Sequence, residues 1–262
     1  MPALTIATWN INSVRLRQEL VAAFLTEEAP DILCLQETKS PVDKIPAERF
    51  AELGYRHLVA RGEKGYNGVA ILGRVALEDA GHADVCGKGD ARHVAARLED
   101  GTLIHNFYVP AGGDIPDREK NAKFAHKLDF VAEMAAWQAE AGPRAVVVGD
   151  LNIAPLEMDV WDHKKMLKVV SHTPIEVEAF TAAQAAGGWT DVVRADKPEP
   201  ERVYSWWSYR AKDWDAADRG RRLDHIWARG IDAVPGSSRL LRSWRGREQP
   251  SDHVPVMAEF AL

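Results

Sequence analysis

The run Val146-Val147-Val148-Gly149-Asp150-Leu151-Asn152-Ile153-Ala154-Pro155 limits what this chain can fold into more than any other ten residues do. Three consecutive valines after Arg144-Ala145 fit a strand covered on both faces, because a strand with one wet face would alternate apolar and polar residues. Gly149 lets the backbone turn, or approach a neighbour closely, at the end of that strand. Asp150 and Asn152 stand two apart, so on extended chain they share a side. Two readings are open from these residues alone. The pair closes the strand as an Asx turn ahead of Pro155, or it offers oxygen-bearing side chains to a metal ion or a substrate.

The rest of the chain repeats the pattern of a strand that ends in polar groups. Leu4 to Asn10 alternates and hands Asn10 to a rim, after which Asn12-Ser13 is expected to cap a helix carrying Leu16, Leu20, Ala23 and Phe24 until Pro30. Ile32-Leu33-Cys34-Leu35 is a second buried strand, followed by Gln36-Glu37. Lys39 to Arg61 is expected to be a loop with a short helix, and Tyr66-Asn67-Gly68 a turn into the strand Val69 to Leu72. Arg92 to Leu98 and Thr102 to Val109 form a hairpin across Asp100-Gly101. Pro116 is expected to start a long helix with Phe124, Leu128, Val131 and Ala135 on its apolar stripe. Its other face, Lys120, Lys123, His126 and Lys127, is expected to be solvated. Thr173-Pro174-Ile175-Glu176 is a capping box with proline at the first helical position, and Gly187-Gly188 closes that helix. Tyr204 to Tyr209, Leu223 to Ala228 and Val254 to Phe260 complete the strands. Hairpins mixed with amphipathic helices give an α/β protein with two packed sheets and helices outside, in one domain over residues 1–262.

Composition removes several alternatives. No apolar run is long enough to span a membrane, and the start MPALTIATWN lacks the basic and apolar regions of a secretory leader, so a cytoplasmic protein is expected. Cys34 and Cys86 are the only cysteines, too few for a disulfide framework or an unaided zinc site. A formal net charge of -6 disfavours a protein that simply coats nucleic acid. It does not exclude a nuclease that gathers carboxylates into one metal site and keeps basic surface nearby.

Asn10, Glu37, Tyr108, Asp150, Asn152, Asp224, Asp252 and His253 all fall just past strand ends. Two carboxylates about 4 Å apart, at an effective dielectric near 20, repel by roughly 4 kcal/mol. Gathering several therefore calls for protons or a cation. Oxygen ligands without cysteine favour Mg2+, with Mn2+ as the alternative, over zinc.

The sequence resembles the exonuclease III type of abasic-site endonuclease, within the endonuclease/exonuclease/phosphatase superfamily. The resemblance is carried by TWNINSVRLR (residues 8–17), LQET (35–38), YNGVAIL (66–72), NFYVPAGG (106–113), GDLNIAP (149–155), YSWWSYR (204–210), RRLDHIWA (221–228) and SDHVPV (251–256). Each is weak alone; their order along nearly the whole chain is specific. The resemblance implies a four-layered αββα sandwich of the deoxyribonuclease I-like kind, with two mixed sheets packed face to face. It implies metal ligation by Glu37 with Asn10 and Asp252 close to the ion, and with Asp150, Asn152 and His253 counted in the same metal-bearing set. It implies that Asp150 activates or orients the attacking water, that Asn152 holds that water and the phosphate, and that Tyr108 faces the scissile phosphate. His253, paired with Asp224, is implied as donor to a phosphate oxygen.

The implied substrate is double-stranded DNA with an abasic site or a blocked 3′ end, cut 5′ to the abasic site by a monomeric enzyme that also has 3′-5′ exodeoxyribonuclease and 3′-phosphatase activity. Trp206 and Leu223 match positions that wall a pocket for a flipped-out abasic sugar, and Arg222 is expected to bind substrate beside them. Arg15, Arg17, Arg210, Lys212, Arg219 and Arg221 are further candidates for phosphate contacts. Arg221 departs from relatives with an apolar residue at that position, and Asn12 is a weak match. Two other classes share part of the pattern. A phosphoesterase acting on lipids or small molecules would keep Glu37, Asp150, Asn152 and His253 but not the Trp206 and Leu223 pocket. A non-catalytic DNA-binding module would have lost an acidic or histidine position, and none is missing.

Overall fold

The computed structural model describes residues 3–261. Strands β1 (Ala3–Asn10), β2 (Ile32–Gln36), β3 (His57–Glu63) and β4 (Tyr66–Gly73) belong to the first sheet, with β13 (Arg239–Leu240) and β14 (Val256–Ala261). The second contains β5 (Glu78–Asp79), β6 (His93–Arg97), β7 (Leu103–Tyr108), β8 (Ala145–Asp150), β9 (Thr190–Asp191) and β12 (Asp224–Arg229). The strand orders are β13-β14-β1-β2-β4-β3 and β5-β6-β7-β8-β12-β9, and a short ribbon pairs β10 (Trp206–Trp207) with β11 (Gly220–Arg221). Both large sheets are mixed: β1 runs parallel to β2, and β7 parallel to β8, while the other neighbours are antiparallel.

The valine run explains the layering. Val146 and Val148 enter the core between the sheets with Ile6, Ile71, Val94 and Ile226. Val147 points the other way, into a second core with Phe107, Phe130, Phe180 and Trp227. That outer core is closed by α3 (Ala122–Ala136) and α5 (Pro174–Ala186). On the far side Trp9 packs with Phe24 and Trp244 beneath α1 (Gln18–Glu27), and Phe50 of α2 (Ala47–Ala51) joins them. The result is the αββα sandwich expected from the sequence.

Several local expectations are corrected. Asn12 and Ser13 do not cap α1; both have positive φ and turn the chain, and the helix begins at Gln18. Lys39 to Arg61 contains more than a loop and short helix, since β3 begins at His57 and pairs with β4. α3 starts after Asn121, whose side chain accepts from Lys123 N, and not at Pro116. Of the face expected to be solvated, Lys120 precedes α3 and is exposed, Lys123 is exposed, His126 is half-buried and Lys127 is fully buried. Among the described residues no helix is long and apolar enough to cross a membrane.

Gly149 is required by its neighbour. It has φ +141, and a Cβ there would lie 1.9 Å from the carbonyl oxygen of Phe107 on the adjoining strand. Gly188, with φ +62, has nothing within 4 Å of its Cβ position. Gly149→Ala should therefore lower stability by about 4 kcal/mol or more, roughly 8 °C in thermal midpoint for a chain of this size. Gly188→Ala should cost only about 1 kcal/mol of backbone strain. Equal midpoints for the two variants would refute this assignment.

Candidate active site

Strand register assembles the first half of the site. Tyr108 is paired with Asp150 across the β7–β8 ladder, and Asp224 with Asp150 across β8–β12, so three functional side chains stand abreast at the ends of three central strands. The first sheet supplies the other half. Asn10 and Gln36 are register partners at the ends of β1 and β2, Glu37 follows Gln36, and Asp252-His253 precedes β14.

Asp150 is where the halves meet. Its Oδ2 accepts from Asn10 Nδ2 at 2.9 Å and from Asn152 Nδ2 at 3.0 Å, while Oδ1 accepts from Asn152 N at 3.0 Å. The last bond is the Asx turn read from the sequence. That turn aims the side chain of Asn152, at φ +55, back toward Asp150, so the two sequence readings describe one geometry. Burial, reinforced by Asp224 and Glu37 and opposed by His253, raises the Asp150 carboxyl to about 7.

His253 faces it, with Nε2 at 3.7 Å from Asp150 Oδ2 and Nδ1 at 2.8 Å from Asp224 Oδ2. Burial pushes the imidazole down, but Asp224, Asp150 and Asp252 outweigh it and hold His253 up at about 10. Asp224 is fixed in turn by Ser205, whose Oγ donates to Asp224 Oδ2 at 2.6 Å and accepts from the Leu223 and Asp224 amides at 3.0 Å. Ser205 had no role in the sequence reading, because a serine in an aromatic strand carries no distinguishing pattern.

Glu37 lies across the cleft, in the left-handed region at φ +50. Its Oε1 accepts from Tyr108 Oη at 2.8 Å and Asn10 Nδ2 at 3.0 Å, and its Oε2 meets Lys39 Nζ at 2.7 Å. Burial pushes this carboxyl up, but Lys39, Asn10 and Tyr108 more than offset it, so Glu37 stays below its usual value. Lys39 also donates to Asn12 Oδ1 at 2.6 Å, Asn12 donates to Asp252 Oδ1 at 3.3 Å, and Trp206 Nε1 donates to Asp252 Oδ2 at 2.9 Å. Lys39, two residues past Glu37, was also missed; an ammonium so close in sequence to a candidate ligand was the available signal.

The donor chemistry fits a hard cation. Asp150, Asp224 and His253 bring ligand atoms within 4.8 Å of one another. Asp224 Oδ2 and His253 Nδ1 are nevertheless committed to each other and to Ser205. The oxygens of Glu37 and Asn12 already gather round the Lys39 ammonium, which marks that side of the cleft as better disposed to a cation.

The cleft encloses about 500 Å³ and is lined by Asp150, Asn152, Trp206, Leu223, Asp252 and His253. Arg210, Arg219 and Arg221 also border it. Arg222 does not, which corrects its expected place at the substrate. It is fully buried, with Asp159 at 2.8 Å and Asp191 at 2.6 Å, because side chains alternate along β11 and its extension and its neighbour Arg221 takes the cleft side. Arg17 is likewise mostly buried and ties the Asn12 and Gln249 carbonyls together. Behind the site, Lys127 Nζ donates to Asn152 O at 2.7 Å and pairs with Glu176 at 2.5 Å.

Comparison with known proteins identifies the family and the fold. Residues 7–253 match the model of the Endonuclease/Exonuclease/phosphatase family. The chain is 30% identical to exodeoxyribonuclease III of Haemophilus influenzae, across 97% of this chain and 98% of that protein. An AP endonuclease from Archaeoglobus fulgidus superposes with a TM-score of 0.90 at 34% identity, over 99% of this chain and 100% of that one. The 3′ phosphatase NExo from Neisseria, bound to product DNA hairpin, gives 0.88 at 32%, with the same coverage. With a buried carboxylate opposite an acid-paired imidazole at the meeting edge of two sheets, and with full-length similarity to such nucleases, the chain belongs to the endonuclease/exonuclease/phosphatase family and is a hydrolase of the nuclease type.

Proposed function

We propose that this protein is a divalent-metal-dependent DNA repair phosphodiesterase that cuts duplex DNA on the 5′ side of an abasic site and clears blocked 3′ ends. The observation that carries the proposal is the opposition of Asp150 and His253 at 3.7 Å across a cleft walled by Trp206 and Leu223. In this reading Asp150 takes the proton of a water that attacks phosphorus. A carboxyl raised to about 7 is a stronger base than an ordinary aspartate and is still ionised enough to act near neutral pH. Asn152 orients that water through the amide that already touches Asp150.

His253, kept protonated by Asp224, donates to a non-bridging phosphate oxygen as charge develops there. Tyr108, whose phenol burial and Glu37 hold well above its ordinary value, stays a neutral donor beside the phosphate. The phosphorus–oxygen bond to the 3′ oxygen breaks, leaving a 3′ hydroxyl and a 5′ phosphate. Mg2+, or Mn2+ in its place, would be held by Glu37 with Asn10 and Asp252, and would supply positive charge to the phosphoryl and leaving oxygens. Trp206 and Leu223 accept the extruded sugar, which costs less to unstack than an intact nucleotide because its base is gone. A monomer acting in the cytoplasm suits this role.

A duplex containing one tetrahydrofuran abasic analogue, incubated with protein and Mg2+, should be nicked on the 5′ side of the analogue. Absence of the nick refutes the proposal. Cleavage of small phosphate esters with no nick would favour the phosphoesterase alternative.

Asp150→Asn should lower kcat by about a thousandfold, within the usual range for a lost general base. Its effect on stability should have the opposite sign. The folded-state carboxyl is raised from 3.8 to about 7, so its stabilising contribution is complete below pH 4 and is lost as pH rises through 7. In chelator at pH 8 the asparagine variant should therefore unfold at a higher temperature than wild type, with the gap closing toward pH 4. A variant less stable than wild type at pH 8 would overturn the electrostatic account.

A further inference from the structure

One wall of the cleft carries a charge that the proposed reaction leaves idle. Arg221 closes β11 and stacks its guanidinium over Trp206, 4.9 Å from the ring centroid. Its Nη1 donates to Val170 O at 3.2 Å and Ser171 Oγ at 3.0 Å, both neutral acceptors. Its Nε is buried and bonds no protein acceptor among the described residues. Arg222, the next residue, is neutralised by Asp159 and Asp191, but no carboxylate comes within ion-pairing distance of Arg221 among the described residues. Glu176, the acid that bears on it, is already engaged by Lys127 and by the amides of Ser171 and Thr173. Burial accordingly pushes the Arg221 guanidinium down, to about 10.

A half-buried cation whose Nε is shielded and which has no counter-charge is better satisfied when an anion arrives. The position of this one says which anion. Asp150, Asn152 and His253 hold the phosphate, so the group joined to it on the side away from the leaving oxygen lies against Trp206, Leu223 and Arg221, which line the same cleft. An abasic sugar is neutral there. A blocked 3′ end can instead present a carboxylate, whose two oxygens match the planar edge of a guanidinium held flat on an indole.

Building on the function proposed above, we propose that Arg221 is a specificity-determining residue that favours 3′ ends blocked by a carboxylate-bearing group, such as a 3′-phosphoglycolate, over neutral abasic sugars. The chemistry balances as in the parent reaction. Water oxygen bonds to phosphorus, the 3′ oxygen leaves with the electron pair and is protonated, and phosphoglycolate departs with its carboxylate unchanged. Arg221 binds that carboxylate and takes no part in bond making.

The test compares wild type with Arg221→Leu on three duplexes: one with a tetrahydrofuran abasic analogue, one ending in 3′-phosphoglycolate and one ending in 3′-phosphate. The ratio of kcat/KM for phosphoglycolate to that for the abasic analogue should fall about tenfold or more, through KM, as expected for loss of one charge-assisted hydrogen-bonded pair. Arg221→Lys should restore part of the ratio, and Arg221→Gln, which keeps hydrogen bonding without charge, should not. An equal loss on all three duplexes would show a structural role only and overturn the proposal, as would an unchanged ratio. If the leucine variant does not fold, the lysine and glutamine variants decide by the same ratio. Wild-type protein that cuts none of the three would instead overturn the reading of the cleft, and this inference with it.

Discussion

A carboxyl withheld from water among other carboxyls is the constraint on which this molecule turns. Asp150 shares its end of the cleft with Asp224 and Glu37, and burial raises it far above an ordinary aspartate. At a spacing near 4 Å each such pair costs roughly 4 kcal/mol at an effective dielectric of 20. The fold answers with directed dipoles and two cations: the amides of Asn10 and Asn152 on Asp150, the Ser205 hydroxyl on Asp224, His253 between the two aspartates, and Lys39 on Glu37. What remains unrelieved is the part a metal ion and a phosphate can use. The arrangement is poor for stability and good for hydrolysis, since the groups are already turned toward charge that appears only during reaction.

Two backbone positions show how that arrangement is enforced. Glu37 and Asn152 both occupy the left-handed region, where a side chain costs of order 1 kcal/mol or more. Asparagine tolerates this conformation and glutamate does so poorly. Glu37 lies directly after a fully buried strand and Asn152 two residues past another, and the ladders that fix Gln36 and Asp150 leave the following chain little freedom. Regular sheet pairing, which is strong, thus places residues that are individually uncomfortable.

The large features were written in hydrophobic period and turn chemistry. Three valines with both faces buried, the Asp100-Gly101 hairpin and the Thr173 capping box all form as their residues require. β3 was hidden because His57 to Glu63 carries Arg61 and Glu63 on a half-buried edge and lacks the alternation that marks a strand. The strand-end residues were legible one by one, but not who touches whom, since contacts such as Ser205 with Asp224 arise from folding. The Arg221 and Arg222 exchange shows the limit: adjacent like residues on extended chain face opposite ways, and sequence alone does not say which faces the cleft. Lys127 was readable after all. It is three residues past Phe124 and four before Val131, on the apolar stripe and not opposite it.

That lysine ties catalysis to a layer that never meets DNA in this reading. Lys127 on α3 and Glu176 on α5 form a buried ion pair directly beneath the Asn152 carbonyl, and Glu176 also holds Ser171, to which Arg221 is anchored. Losing one partner strands the other charge in the interior, so neither residue can drift alone without loss of fold. Replacing both by apolar residues could preserve packing while freeing the loop that carries Asn152. Natural variation at positions 127 and 176 should therefore be correlated, and the outer helices inherit through this one pair a selective pressure set by the cleft.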